Sequence, residues 1–193
     1  MNGGAADQIR AALAALMRCF DESQIDGAII GGVAASLRGA PRMTKDVDAL
    51  VVDADAEHLL RAVAPFGFAA RSDDAIEFAR QTHVLVLRHT STAIDFDLLI
   101  GALPFEAEVV ARAGELAVGG ITVRVATAED LVIMKTVAGR ARDAGDIENL
   151  LKANPGMDLD RVRQWVREFS SALDRPDIQE NLERVIRTSR SAR

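Results

Sequence analysis

The sequence predicts an α/β (α+β) fold: a mixed sheet flanked by helices over residues 1–125, followed by a helical portion over 126–193. Three observations carry this. Short apolar runs bounded by Gly, Asp and Pro alternate with helical periods in the first part. A glycine-turned hairpin, ELAV-GG-ITVRV (115–125), closes it. Beyond the hairpin, helical patterns follow one another with no strand-like run.

Ile9, Leu13, Leu16, Met17 and Phe20 form one stripe at helical spacing, so residues 5–22 are expected to be an amphipathic helix. GAIIGG (27–32) reads as a short buried strand ending in two glycines, and 33–39 as a short helix closed by Gly39 and Pro41. DVDALVV (46–52) is a strand with Val47 opposite the Asp side chains. A helix over 54–66, strands over 82–88 and 93–100, and a helix near 105–113 follow. Thr127 with Asp130 resembles a capping box and opens a helix over 127–142. Further helices are expected at 144–153, 158–172 and 177–189, with NPG (154–156) as a break. The helical portion either packs on the sheet or follows it as a separate body.

Composition narrows the function. The chain has 193 residues, a single cysteine and a net charge of −6. A lone Cys19 inside a helical pattern excludes a disulfide framework and suits a packed thiol in a reducing compartment. No basic start with an apolar run, and no stretch of about 18 apolar residues, is present, so a soluble cytoplasmic protein is expected. The acidic balance argues against a non-specific nucleic-acid coat, whose binding runs on phosphate neutralisation. Arg184, Arg187, Arg190 and Arg193 read as a solvated helix end. One Trp and no Tyr leave no platform for stacking bases. Neither G-x-S-x-G nor G-x-x-x-x-G-K-[ST] occurs, and His58, His83 and His89 lack zinc-ligand spacing.

The chemistry concentrates in Gly31-Gly32 and Asp46-Val47-Asp48. Two glycines at a strand end let the backbone approach a ligand closely, and a following helix suits a phosphate. Asp46 and Asp48 share one face of a strand, where they repel each other unless a cation intervenes; magnesium (or manganese) prefers such oxygen ligands. Asp95 and Asp97 form a second pair on AIDFDLLI, with Ile94, Phe96 and Leu98 on the core side. If the two strands are neighbours, three or four carboxylates converge, as two-metal phosphoryl transfer requires. Either pair alone is more often ordinary solvent-facing alternation; the combination is what is specific.

This combination resembles the nucleotidyltransferase superfamily (polymerase-beta-like fold), whose signature is an apolar residue, G-[GS], a spacer, D-x-[DE] and a third carboxylate on a later strand. Those positions read Ile30-Gly31-Gly32, Asp46-Val47-Asp48 and Asp97. Asp97 is preferred over Asp95 because DLLIGALPFEAEVVARA, with Pro104-Phe105-Glu106 opening a helix, is similar to AbiEii-like bacterial nucleotidyltransferases. VATAEDLVIMKTVAGRARDAGDIENLL resembles the same group, and the likeness spans roughly residues 25–153.

The resemblance implies a metal-dependent enzyme that moves a nucleoside monophosphate from a nucleoside triphosphate to a hydroxyl. Asp46, Asp48 and Asp97 would hold metal and carry catalysis, and Gly31, Gly32, Thr44 and Lys135 would bind the nucleotide. Lys135 lies beside the buried stripe of its helix and either snorkels to water or reaches an anion, while Gly139, on the same face, leaves room for a large ligand. Thr44, just before the acidic pair, either caps the strand entry or touches phosphate, and Arg42 and Lys45 flank it; Arg42 is a phosphate ligand or simply exposed. Arg140, Asp143 and Asp146 read as a salt-bridge network between two helices; Asp146 also falls in a family motif. The acceptor would be an RNA end, as in toxin members of the group, a protein hydroxyl or a small molecule such as an aminoglycoside. The competing expectation is an inactive module of the same fold in a toxin–antitoxin-like pair, with a cognate antitoxin or a second copy as partner.

Overall fold

The computed structural model describes residues 3–41, 44 and 46–191. Arg42, Lys45 and Arg193 lie outside the described residues. The chain divides into two compact units: Met1–Val33 with Met43–Ala126, and Ala34–Arg42 with Thr127–Arg193.

The first unit is built on one seven-stranded mixed sheet. Its strands are β1 (Gly27–Ile30), β2 (Asp46–Val51), β3 (Phe68–Ala70), β4 (Val84–His89), β5 (Ile94–Ile100), β6 (Gly114–Val118) and β7 (Ile121–Val125). Their order is β3-β4-β5-β2-β1-β7-β6. β2 runs parallel to β5 and β1 parallel to β7, whereas β1–β2, β3–β4, β4–β5 and β6–β7 are antiparallel. The expected N-terminal helix is α1 (Gly3–Glu22), whose Leu13, Leu16, Met17 and Phe20 are buried. It packs against β7 and β5, and α5 (Pro104–Arg112) packs on β1 and β2. Phe96 and Leu98 of β5 and Val47 of β2 are fully buried, as the alternation predicts. The hairpin turns through Gly119 and Gly120, both at positive φ (55° and 87°), the geometry of a primed two-residue turn.

The structure departs from expectation in several places. The helix expected over 54–66 stops as α3 (Ala56–Val63); Pro65 sits in a 3-10 turn and Gly67 caps it at φ 85°. The strand expected from residue 82 begins only at Val84. Thr82 ends α4 (Ala75–Thr82), and His83 turns the chain at φ 58°. Neither α4 nor β3 is visible in the sequence. α4 buries only Ala75 and Ala79 and leaves Phe78 42% exposed, so no apolar stripe marks it. β3 has three residues, too few for a period of two to register.

The second unit contains α6 (Ala128–Ala138), α7 (Asp143–Ala153), α8 (Leu159–Ala172) and α9 (Asp177–Ser191). Thr127 caps α6 by accepting the Asp130 N–H at 3.2 Å. The helix expected to reach residue 142 ends at Ala138, where Gly139 takes φ 61° and donates its N–H to the Lys135 carbonyl at 3.0 Å. Gly139 is thus a left-handed helix cap rather than a continuation of the helix face. Asp158 caps α8 with bonds from the Asp160 and Arg161 N–H groups. Val162 and Val166 of α8 and Ile178, Leu182 and Ile186 of α9 are buried. The short helix α2 (Gly31–Leu37) follows β1 directly, and the boundary between the units falls inside it. Among the described residues, no helix is long and apolar enough to cross a membrane.

Candidate active site

β2 and β5 pair in parallel so that Asp46 lies opposite Asp95 and Asp48 opposite Asp97. Paired residues of adjacent strands share a face, so the two acidic pairs form two rows on one side of the sheet. On the other flank of β2, Ile30 pairs with Asp48, which brings the end of β1 to the same place. The chain then turns through Gly31 at φ 65°. A Cβ on Gly31 would overlap the Asp48 carboxylate, so glycine is demanded here twice: by the backbone angle and by the close approach. Gly32 continues into α2. Thr44 donates its hydroxyl to an Asp46 carboxylate oxygen at 2.7 Å.

Two arginines that the sequence did not single out complete the site. Arg88 pairs across from Asp95 on β4 and grips its carboxylate with two bonds, at 2.6 and 3.0 Å. This grip holds the Asp95 carboxyl below its ordinary range, against a smaller opposing effect of burial. Arg71, just beyond β3, reaches Asp97 at 2.8 Å and Asp95 at 3.5 Å. Burial pushes the Asp97 carboxyl upward, Arg71 pulls it back, and the neighbouring charges of Asp46 and Asp95 raise it further. Arg88 had a faint signal, since it alternates with Val84 and Val86 on a strand. Arg71 had none, because only the fold brings a connecting segment next to β5.

The donors fit an oxygen-preferring divalent cation in kind: the face offers carboxylates, and the charges of Asp46 and Asp95 lie near enough to Asp97 to add to the larger upward push of burial on its carboxyl. Among the described residues, however, no three His, Cys, Asp or Glu side chains converge as a ready metal-binding group. Positive charge at the rows comes from the Arg71 and Arg88 guanidinium groups.

Lys135 and Asp146 lie in the helical unit. Lys135 is 8% exposed, and its ammonium is 2.5 Å from Asp146 and 3.5 Å from Asp143. Asp143 also accepts the Arg140 N–H at 3.1 Å, which ties the α6–α7 junction together. The cation paired with Asp143 and Asp146 is thus Lys135, whereas Arg140, expected in that network, joins it through its backbone N–H. Cys19 is buried and its thiol is pushed up mainly by burial, as suits a packed core residue.

Solved structures share the fold of this chain. An antigenic nucleotidyltransferase-like protein from Paracoccidioides brasiliensis aligns over 92% of this chain and 93% of its own, with 19% identity and a TM-score of 0.55. The solution structure of the antibiotic-resistance factor ANT(2'')-Ia aligns over 90% and 95%, at 16% identity and a TM-score of 0.62. The crystal structure of ANT(2")-Ia with adenylyl-2"-tobramycin aligns over 86% and 99%, at 16% identity and a TM-score of 0.59. Residues 9–188 match the family described as "Nucleotidyl transferase of unknown function (DUF2204)", and the chain belongs to that family of nucleotidyltransferases. No curated protein matches it.

Proposed function

We propose that the protein transfers a nucleoside monophosphate from a nucleoside triphosphate to an acceptor hydroxyl, with a divalent cation bound at the acidic rows. The observation that carries this is the in-register pairing of Asp46-x-Asp48 with Asp95-x-Asp97, directly beside the Gly31 turn. Asp46, Asp48 and Asp97 would hold the cation, magnesium or manganese. When bound, it would neutralise charge on the transferring phosphoryl group and on leaving pyrophosphate. Gly31 and Gly32 let the triphosphate lie close to the backbone, and Thr44 orients Asp46. Asp97 takes the acceptor hydroxyl proton as the new oxygen–phosphorus bond forms. The bond between the α-phosphorus and the bridging oxygen breaks, and its electron pair leaves with pyrophosphate. Asp95, gripped by Arg88, serves to position the row. Lys135 as a triphosphate ligand would have to leave Asp143 and Asp146.

The acceptor best supported is a neutral or cationic small molecule bearing a hydroxyl. The net charge of −6 disfavours a polyanion, and ANT(2")-Ia is described with an adenylylated aminoglycoside. An RNA end, suggested by the AbiEii-like likeness, is the acceptor to compare with it.

Calorimetric titration of each of the four nucleoside triphosphates, with and without magnesium, tests the site. The expected outcome is magnesium-dependent binding of at least one triphosphate by the wild-type protein, abolished in Asp46→Ala/Asp48→Ala. Binding that persists in the double variant would move the site elsewhere. No binding by the wild-type protein would remove the enzymatic reading and favour an inactive binding module, with an antitoxin or a second copy as its partner.

A further inference from the structure

Arg71 is anchored to the carboxylate that the proposed chemistry needs. Its guanidinium bonds to Asp97 at 2.8 Å and lies 3.5 Å from Asp95, spanning one acidic row. Both partners of the Asp97 contact are about 30% exposed, so the pair is partly desolvated yet reachable by solutes. Arg71 comes from the segment after β3, and its own N–H is held by the Val86 carbonyl at 3.1 Å. Val86 in turn pairs with Asp97 across β4 and β5, so the backbone at the root of Arg71 is fixed relative to its target. Asp95 has a second guanidinium, Arg88, bound in two places. Charge on Asp95 is therefore balanced without Arg71, whereas Asp97 pairs with Arg71.

We infer that Arg71 is a built-in competitor for the divalent cation: it pairs with Asp97 until a cation draws on that carboxylate and displaces the guanidinium. This rests on the proposed metal-dependent reading of the site. A guanidinium and a divalent ion drawn to the same carboxylate repel each other and compete for its charge, so the affinity for cation is set by a difference between two attractions. Arg71 would thereby keep the site from holding a cation tightly before the triphosphate brings further oxygen ligands. Once displaced, the guanidinium remains tethered a few ångströms away, where it can take phosphate oxygens.

The test is titration of the nucleotide-free protein with manganese(II), following free manganese by electron paramagnetic resonance. Wild type, Arg71→Gln, Arg71→Lys and Arg71→Gln/Asp97→Asn are compared, each checked for native circular dichroism. Arg71→Gln is expected to bind manganese roughly three- to tenfold more tightly than wild type, the scale of a partly exposed charged hydrogen bond. Arg71→Lys should fall between the two, because one ammonium competes less well than a fork. The Arg71→Gln/Asp97→Asn variant should lose the gain. Equal or weaker binding by Arg71→Gln, with wild type still binding, overturns the competition and leaves the metal site standing. Absence of manganese binding in wild type and Arg71→Gln alike overturns both.

Discussion

Replacing Gly31 with alanine tests the geometry on which the site depends. The residue sits at φ 65°, and the left-handed conformation costs an L-residue with a Cβ roughly 1–2 kcal/mol. The new methyl would also overlap the Asp48 carboxylate, so that side chain must leave its place in the acidic row. Gly120 provides the control. Its φ is 87°, but a Cβ there meets nothing within 4 Å. Gly120→Ala should therefore lose about 1–2 kcal/mol and keep full activity. At about 2–4 °C per kcal/mol for a chain of this size, that is a fall of roughly 2–8 °C in Tm. Gly31→Ala should lose at least as much stability. In addition, kcat/KM should fall by about 10²-fold, the usual result of displacing a reacting group by about an ångström. Thermal melts and pyrophosphate release measured on both variants decide the matter. If Gly31→Ala matches Gly120→Ala in both stability and activity, the close approach of Gly31 to Asp48 has no functional weight and the reasoning is wrong.

Two further outcomes follow from the charge pairs. Lys135→Met leaves Asp143 and Asp146 buried without their shared cation, so urea unfolding should show a loss of about 3–5 kcal/mol, with KM for the triphosphate unchanged. A raised KM with little loss of stability would instead make Lys135 a nucleotide ligand. Arg88 holds the Asp95 carboxyl low, so this pair stabilises the fold above the unfolded aspartate pKa of about 3.9 and stops doing so as pH falls through the lower folded value. Arg88→Ala should melt below wild type near neutral pH, with the gap closing as pH drops below about 4; a gap that stays constant with pH would refute the assignment.

By itself, the sequence determined the local pieces of the site. Glycines after an apolar run, and carboxylates two apart on strands, are statements of backbone freedom and of a period of two; both hold whatever the rest of the chain does. The long apolar stripe of α1 and the glycine turn of the hairpin were legible for the same reason. Only the tertiary structure decided which strands are neighbours. The register that sets Asp48 beside Asp97 joins residues nearly fifty positions apart, and no local period encodes it. Arg71 and Arg88 acquire meaning only through β4, which lies beside β5 and carries one of them while anchoring the other. The partners of Lys135 were likewise hidden, because Gly139 ends the helix early and brings α7 back against α6. Charges are read from a sequence one at a time, whereas an ion pair depends on the distance between two of them, and folding sets that distance.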